Sequence, residues 1–283
     1  MKMSFNKKYL LPIVPFFFIG CAEPEIPAFL YADSFSFNCE LSSQGYNSEK
    51  ITDGWLYVNG ELLGVYELPA LIPVLANGDA EIVLLPGIKE NGISVFSITY
   101  PFYDAYDVNV VLSAGNTDTL MPFTTYFSEG LNFIVDRFES GNIFSSAINS
   151  DTSFYEVSDT AEVFEGLRSM HAELEGGNYF FRAQTYELLL PDDGRECFLE
   201  LDYKNDTECE VWLSGIGASG SEFPEYVISL NPKENWNKVY INLGDIARLI
   251  QTETYKLELR MSRPETAARA VLYIDNVKII WQE

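Results

Sequence analysis

The side chains with the most chemical potential are few and scattered. His171 is the single histidine. It sits in Ser169-Met170-His171-Ala172-Glu173-Leu174, where Met170, Ala172 and Leu174 take the alternate positions. That period of two predicts a strand with His171 on its solvent side. A Ser-His-Asp triad would have to use this histidine, and the sequence has no Gly-x-Ser-x-Gly turn. One histidine cannot build a histidine zinc site, and no Cys-x-x-Cys pair is present. The 42 Asp and Glu residues offer many carboxylate pairs, but no local motif singles out two for glycoside cleavage. The expectation is a protein that is not an enzyme.

Aromatic residues set among polar neighbours are the better candidates. A surface that holds sugar rings needs flat apolar platforms flanked by hydrogen-bonding groups. Trp212, Tyr226, Tyr179 and Phe181 are the candidates for such platforms. Val211 and Leu213 face away from Trp212 on an alternating strand, so Trp212 lies opposite them. The segment Ser214-Gly215-Ile216-Gly217-Ala218-Ser219-Gly220 could rim a cleft. It lacks the lysine and the following helix of a phosphate-binding loop.

These residues must be positioned by a chain of 283 residues with 47% hydrophobic content, including 20 Phe, 17 Tyr and 4 Trp. That is enough apolar material for real cores and unlike a disordered composition. The formal net charge is −24. Lys2, Lys7 and Lys8 precede residue 20 without any acid, so the remainder carries −27. Such a surface repels nucleic acid and anionic membrane faces, and nucleic acid is excluded as a partner.

Lys7-Lys8 lead into Tyr9 to Gly20, an apolar run broken by Pro12 and Pro15, and then Cys21. A basic start with about a dozen apolar residues is the build of a signal peptide. Phe18-Ile19-Gly20-Cys21 resembles the lipobox of bacterial lipoproteins. The resemblance implies a leader over 1–20, lipidation of Cys21, and membrane attachment through the acyl chains. Residues 21–27 then form an acidic tether. Ala22-Glu23-Pro24-Glu25 lacks an Asp after the cysteine and resembles the surface-export signal of lipoproteins of the Bacteroidetes group. The expected location is the outer membrane, lipid-anchored; the export-signal resemblance implies exposure at the cell surface, and the sequence leaves the choice between outward and periplasmic orientation open.

Residues 28–136 alternate with period two. Phe35, Phe37, Cys39 and Leu41 point one way; Trp55 to Val58 runs into the turn dipeptide Asn59-Gly60. About seven strands predict an antiparallel sandwich. Tyr57 to Gly64, with Leu68-Pro69, Gly78 and Ile82-Val83-Leu84, is similar to a PEGA-type module, a small immunoglobulin-like surface domain. Tyr100-Pro101-Phe102-Tyr103 and Tyr106 form a dense aromatic cluster, either packed over the sandwich end or presented to a partner.

Residues 137–283 read as about eleven strands and one short helix over Leu243–Ile250, with Ile246, Leu249 and Ile250 on one face. That count fits a jelly roll. Cys39, Cys197 and Cys209 allow at most one disulfide. A hairpin turn near Asn205 sets Cys197 opposite about Leu213, so free buried thiols are expected. Phe138-Glu139, Phe164 to Ser169, Asn235 to Leu243 and Tyr273 to Ile279 follow one another in an order that resembles the galactose-binding-like jelly rolls, which include many carbohydrate-binding modules. The resemblance implies a structural calcium at Glu139 and Asp275, and a polysaccharide as partner. An envelope protein is the other partner the reading allows. The whole chain is thus expected to be all-β, an immunoglobulin-like sandwich followed by a jelly roll.

Overall fold

A computed structural model describes residues 25–40 and 42–283. Cys21, the leader and the first part of the tether lie outside the described residues. The first half holds β1 (Ala28–Ala32), β2 (Ser36–Phe37), β3 (Asp53–Val58), β4 (Glu61–Glu67) and β5 (Ala70–Val74). It continues with β6 (Gly78–Lys89), β7 (Ser97–Thr99), β8 (Tyr106–Leu112), β9 (Thr117–Leu120) and β10 (Phe123–Thr124). Strands β4-β3-β6-β7 form one sheet, with β8 also on β6; β5-β1-β9 and the pair β10-β2 lie across from it. Leu30, Ile72 and Leu120 from one side meet Leu56, Ile82 and Leu84 from the other, all essentially sealed from water. Each such side chain contributes roughly 1.5–3 kcal/mol on burial. The sandwich is not wholly antiparallel: β1 runs parallel to β9, and β2 to β10.

The second half begins earlier than residue 137. Leu131–Asp136, β11, pairs antiparallel with the last strand from Leu131↔Gln282 to Asp136↔Val277. The alternation of this segment says that it is a strand but not which sheet it joins. Next come β12 (Phe144–Ser146), β13 (Tyr155–Val157), β14 (Ser169–Glu175), β15 (Phe180–Thr185) and β16 (Cys197–Asn205). They are followed by β17 (Cys209–Ile216), β18 (Glu222–Leu230), β19 (Lys233–Asn242), α1 (Gly244–Ile250), β20 (Thr254–Ser262) and β21 (Arg269–Gln282). Two sheets face each other as a jelly roll, β13-β14-β21-β16-β19 with β11 on β21, and β12-β15-β20-β17-β18. Their inner faces share one core that includes Leu199, Leu201, Val211, Leu213, Leu257 and Ile279.

Several local expectations change. Strands β16 and β17 belong to different sheets, so the turn at Asn205 joins layers and does not close a hairpin. Cys197 and Cys209 are buried free thiols, and Cys39 is free and partly buried. In α1 the inward residue is Ala247, with Ile246 and Ile250 partly covered, while Leu249 is exposed.

The two halves share a sealed seam. Phe198, Tyr240 and Ile280 point outward from the second half's first sheet and join the first half's core. Tyr100 packs edge-on against Phe198 and tilted against Tyr240, with centroids 5.3 and 4.9 Å apart. The aromatic cluster of residues 100–103 is therefore spent between the halves. At its centre Glu200 accepts hydrogen bonds from the hydroxyls of Tyr100 (2.7 Å) and Tyr126 (2.9 Å) and pairs with Lys238 at 3.0 Å. Burial pushes the Glu200 carboxyl up, but Lys238 and Lys278 outweigh it and hold it below its ordinary range.

Candidate functional site

The seam decides which surface is available. One end of the first sheet's outer side is covered by the first half. Among the described residues the outer side of β12-β15-β20-β17-β18 carries no such cover, and it is built by alternation. In β17, Cys209, Val211 and Leu213 turn into the core, which sends Glu210, Trp212 and Ser214 outward. In β20, Tyr255, Leu257, Leu259 and Met261 turn inward, which sends Lys256, Glu258 and Arg260 outward.

Glu258 is the keystone of this face. The Arg182 guanidinium donates to both its oxygens, Nε to Oε2 at 2.8 Å and Nη2 to Oε1 at 2.7 Å. Arg260 Nε donates to Oε2 at 2.9 Å, and Ser214 Oγ to Oε1 at 2.6 Å. Burial alone would raise this carboxyl. The hydrogen bonds from Arg182, Ser214 and Arg260 outweigh burial and hold it below the ordinary range. Glu258 therefore stays ionised and fixes two guanidiniums in place.

The aromatic part of the face rests on that lattice. Arg260 lies over the Trp212 ring, 4.1 Å from its centroid. Trp212 Nε1 donates to Glu210 Oε2 at 2.8 Å. Tyr226 stands edge-on to Trp212 at 5.6 Å, is 46% exposed, and donates from its hydroxyl to Ser229 Oγ. Arg182 and Lys256 also reach Glu222, at 3.1 and 3.4 Å. Beside Trp212 a depression of about 410 Å³ is lined by Glu208, Glu210, Arg260 and Ser262 among others. The face thus offers flat apolar area, charged donors and charged acceptors in fixed positions. That combination suits a ligand rich in hydroxyl groups, which both donate and accept.

The four sequence-derived platform residues divide. Trp212 and Tyr226 come together on this face. Phe181 does not: it is 0% exposed and packs edge-on to Phe154 within the core, because Phe180 and Arg182 take the outward positions of β15. It cannot present a face to a surface ligand. Tyr179 is 46% exposed but lies at the end of the sandwich, with Arg263 over its ring at 4.2 Å. Glu258, Arg182, Arg260 and Ser214 were missed by sequence reasoning. The signal available was the alternation Lys256-Glu258-Arg260, opposite charges at outward positions of a strand whose other face is apolar.

Glu139 and Asp275 both meet the loop that precedes β14. Glu139 Oε1 accepts from the Leu167 backbone at 2.7 Å. Asp275 accepts from Ser169 Oγ at 2.7 Å, from the Asn276 backbone at 2.7 Å and from the Glu165 backbone at 3.3 Å. Burial pushes the Asp275 carboxyl up to about 7. Among the described residues no three His, Cys, Asp or Glu side chains stand together as a metal-ion group. His171 lies on β14 beneath neighbouring rings, 6% exposed, so it is more enclosed than a plain surface strand residue.

No family model matches the chain, and no curated protein matches it either. Among solved structures it is similar to the xylan-binding CBM22-1 domain from Paenibacillus barcinonensis, at 12% identity and TM-score 0.40, over 56% of this chain and 99% of that one. It is also similar to a family 11 carbohydrate-binding module of a Clostridium thermocellum cellulosomal cellulase, at 15% identity and TM-score 0.38, over 55% and 96%. A third is the enzymatically active domain of tailspike protein 4 of bacteriophage CBA120, at 12% and 0.40, over 52% of this chain and 20% of that one. At such identities and scores the likeness carries no argument about function, and the jelly roll stands on this chain's own strand pairing.

Proposed function

We propose that this protein is a non-catalytic, lipid-anchored protein of the outer membrane that binds glycan through the outer face of β12-β15-β20-β17-β18. The observation that carries the reading is the Trp212 ring held between Glu210, Tyr226 and an Arg260 that Glu258 fixes in place. Preorganised groups bind without a further ordering cost. The test is affinity electrophoresis of the folded chain through gels containing xylan or mixed-linked β-1,3-1,4-glucan. The expected result is retardation by at least one of them, lost in Trp212→Ala. Free migration of the wild type in every neutral polysaccharide would overturn the reading.

The anchor rests on the sequence at Cys21. Cys21→Ala should leave the protein in the aqueous phase of a detergent partition, whereas the wild type enters the detergent phase. Equal partition of the two removes the anchor. A structural calcium at Glu139 and Asp275 belongs to the same proposal. Calcium added to chelated protein should raise Tm, and Glu139→Gln should remove the rise; a wild type that does not respond eliminates the ion.

One observation favours a second reading, an interaction subunit of an envelope complex. Strand β4 is the edge of its sheet and exposes Leu62, Leu63 and Val65. Exposed edges with apolar side chains accept partner strands. A Val65→Lys variant that abolishes co-purification of an outer-membrane protein would support it; unchanged recovery would remove β4 as the docking edge.

A further inference from the structure

A second surface lies on the opposite sheet, beyond the part that the first half covers. Cross-strand neighbours there form a single row. Tyr155 pairs with His171, His171 with Tyr273, and Tyr273 with Lys204. Trp236, on the next strand, completes the row, with the Lys204 ammonium 5.4 Å from its ring centroid and 4.5 Å from that of Tyr273. The contacts are continuous. Tyr155 meets His171 edge-on at 4.6 Å, and His171 stacks on Tyr273 at 4.4 Å with planes 17° apart. With strands about 4.8 Å apart, five strands make a platform about 19 Å long, running across the sheet.

The row borders a depression of about 300 Å³ into which the cations Lys204, Lys233 and Arg269 converge. In a chain with 42 acidic and 18 basic residues that convergence is against the odds of composition. Neither Lys204 nor Lys233 makes an ion pair among the described residues. Among the described residues Arg269 pairs only with Glu173, at 3.8 Å. Of the acids around the row and its rim, Asp206 is engaged by the Val271 backbone and Thr207, Glu162 accepts from the Tyr273 hydroxyl at 2.7 Å, and Glu234 remains. A further polar group waits in the row itself: His171 Nε2 is buried without a hydrogen-bond partner.

We propose that this row is a second saccharide site, selective for glycans that carry an anionic group, a carboxylate or a sulfate. The sugar rings lie along Tyr155, Tyr273 and Trp236, and the anion sits on Lys204, Lys233 and Arg269. At physiological salt, charges beyond about 8 Å are screened, so the local cations act despite the acidic whole. The site goes beyond the glycan face at Trp212 and is independent of it.

The experiment is affinity electrophoresis of the full chain in gels containing polygalacturonate for the carboxylate, dextran sulfate for the sulfate, or plain dextran as control. Lys204→Met keeps the stem over the rings and removes the charge. Lys204→Met and Lys233→Ala should each weaken retardation by the preferred polyanion about tenfold or more, as loss of a charge-assisted contact requires. Trp212→Ala should leave that retardation intact, and added salt should weaken it. Retardation by polygalacturonate alone assigns the carboxylate, and by dextran sulfate alone the sulfate. Migration of the wild type unchanged by either polyanion would overturn the proposal, as would equal retardation of Lys204→Met and wild type. Retardation lost in Trp212→Ala but kept in Lys204→Met would also overturn it, placing acidic glycans on the first face.

Discussion

Glu258 shows how one buried carboxylate can organise a surface. It takes hydrogen bonds from two arginines and a serine while its own side chain is sealed from water. Glu258→Gln keeps the shape and removes the charge, which takes the carboxylate from Arg260 and leaves Arg182 with Glu222 alone. The expected loss at neutral pH is about 3 kcal/mol, the low end for breaking a buried pair, because Arg182 and Arg260 keep some water contact. The sign with pH follows from the carboxyl being held below its ordinary range. Its stabilisation is complete above the unfolded value of about 4.3 and disappears as pH falls through the lower folded value. Urea unfolding of wild type and variant at neutral and at acid pH should therefore show a gap that closes on acidification. A gap independent of pH would mean that Glu258 acts by packing alone.

At the scale of strands, the outcome turned on which face each residue took. Phe181 and Trp212 were both candidates for a sugar platform, yet one faces the core and the other solvent. In β17 the apolar neighbours Val211 and Leu213 settle the face of Trp212 locally. At the start of β15 the aromatic pair Phe180-Phe181 offers no choice by itself, but Arg182 and Gln184 share the side of Phe180 and Ala183 that of Phe181, so alternation along the whole strand turns Phe181 inward. The register with β20, Phe181↔Met261 and Arg182↔Arg260, agrees through a strand some eighty residues away. Phe181→Ala should consequently cost about 3–5 kcal/mol of stability and leave glycan affinity per folded molecule unchanged. Trp212→Ala should do the reverse. Denaturant melts alongside affinity gels separate the two, and a Phe181→Ala variant that folds stably but loses binding would contradict the core assignment. The same logic marks what was legible: the all-β class, most strands and their turns follow from period-two patterning. The Glu258 lattice, the Tyr155 to Trp236 row and the seam did not, because their members meet only through long-range pairing.

At the scale of the molecule, the boundary between the halves is the part least readable from pattern. Composition changes little across residues 131–137, and β11 differs from its neighbours only in its partner, β21. The seam then binds the halves more tightly than a linker would. Phe198, Tyr240 and Ile280 are completed by the first half, and so are Glu200 and Lys238, whose charges would otherwise face water on an apolar surround. A large, core-like interface of this kind opposes independent domain motion. Two consequences can be measured. The intact chain should melt in one cooperative transition, with fluorescence and circular dichroism coincident. A chain beginning at residue 131 keeps every strand of the jelly roll but exposes the three apolar seam residues, and it should aggregate or melt well below the intact protein. Replacing Phe198 and Ile280 by Thr in that shorter chain should restore its solubility, since it removes the exposed apolar patch without touching the inner core. If the shorter chain instead stays monomeric with the Tm of the whole, the seam is a contact of convenience, and the two halves are separate modules that happen to touch.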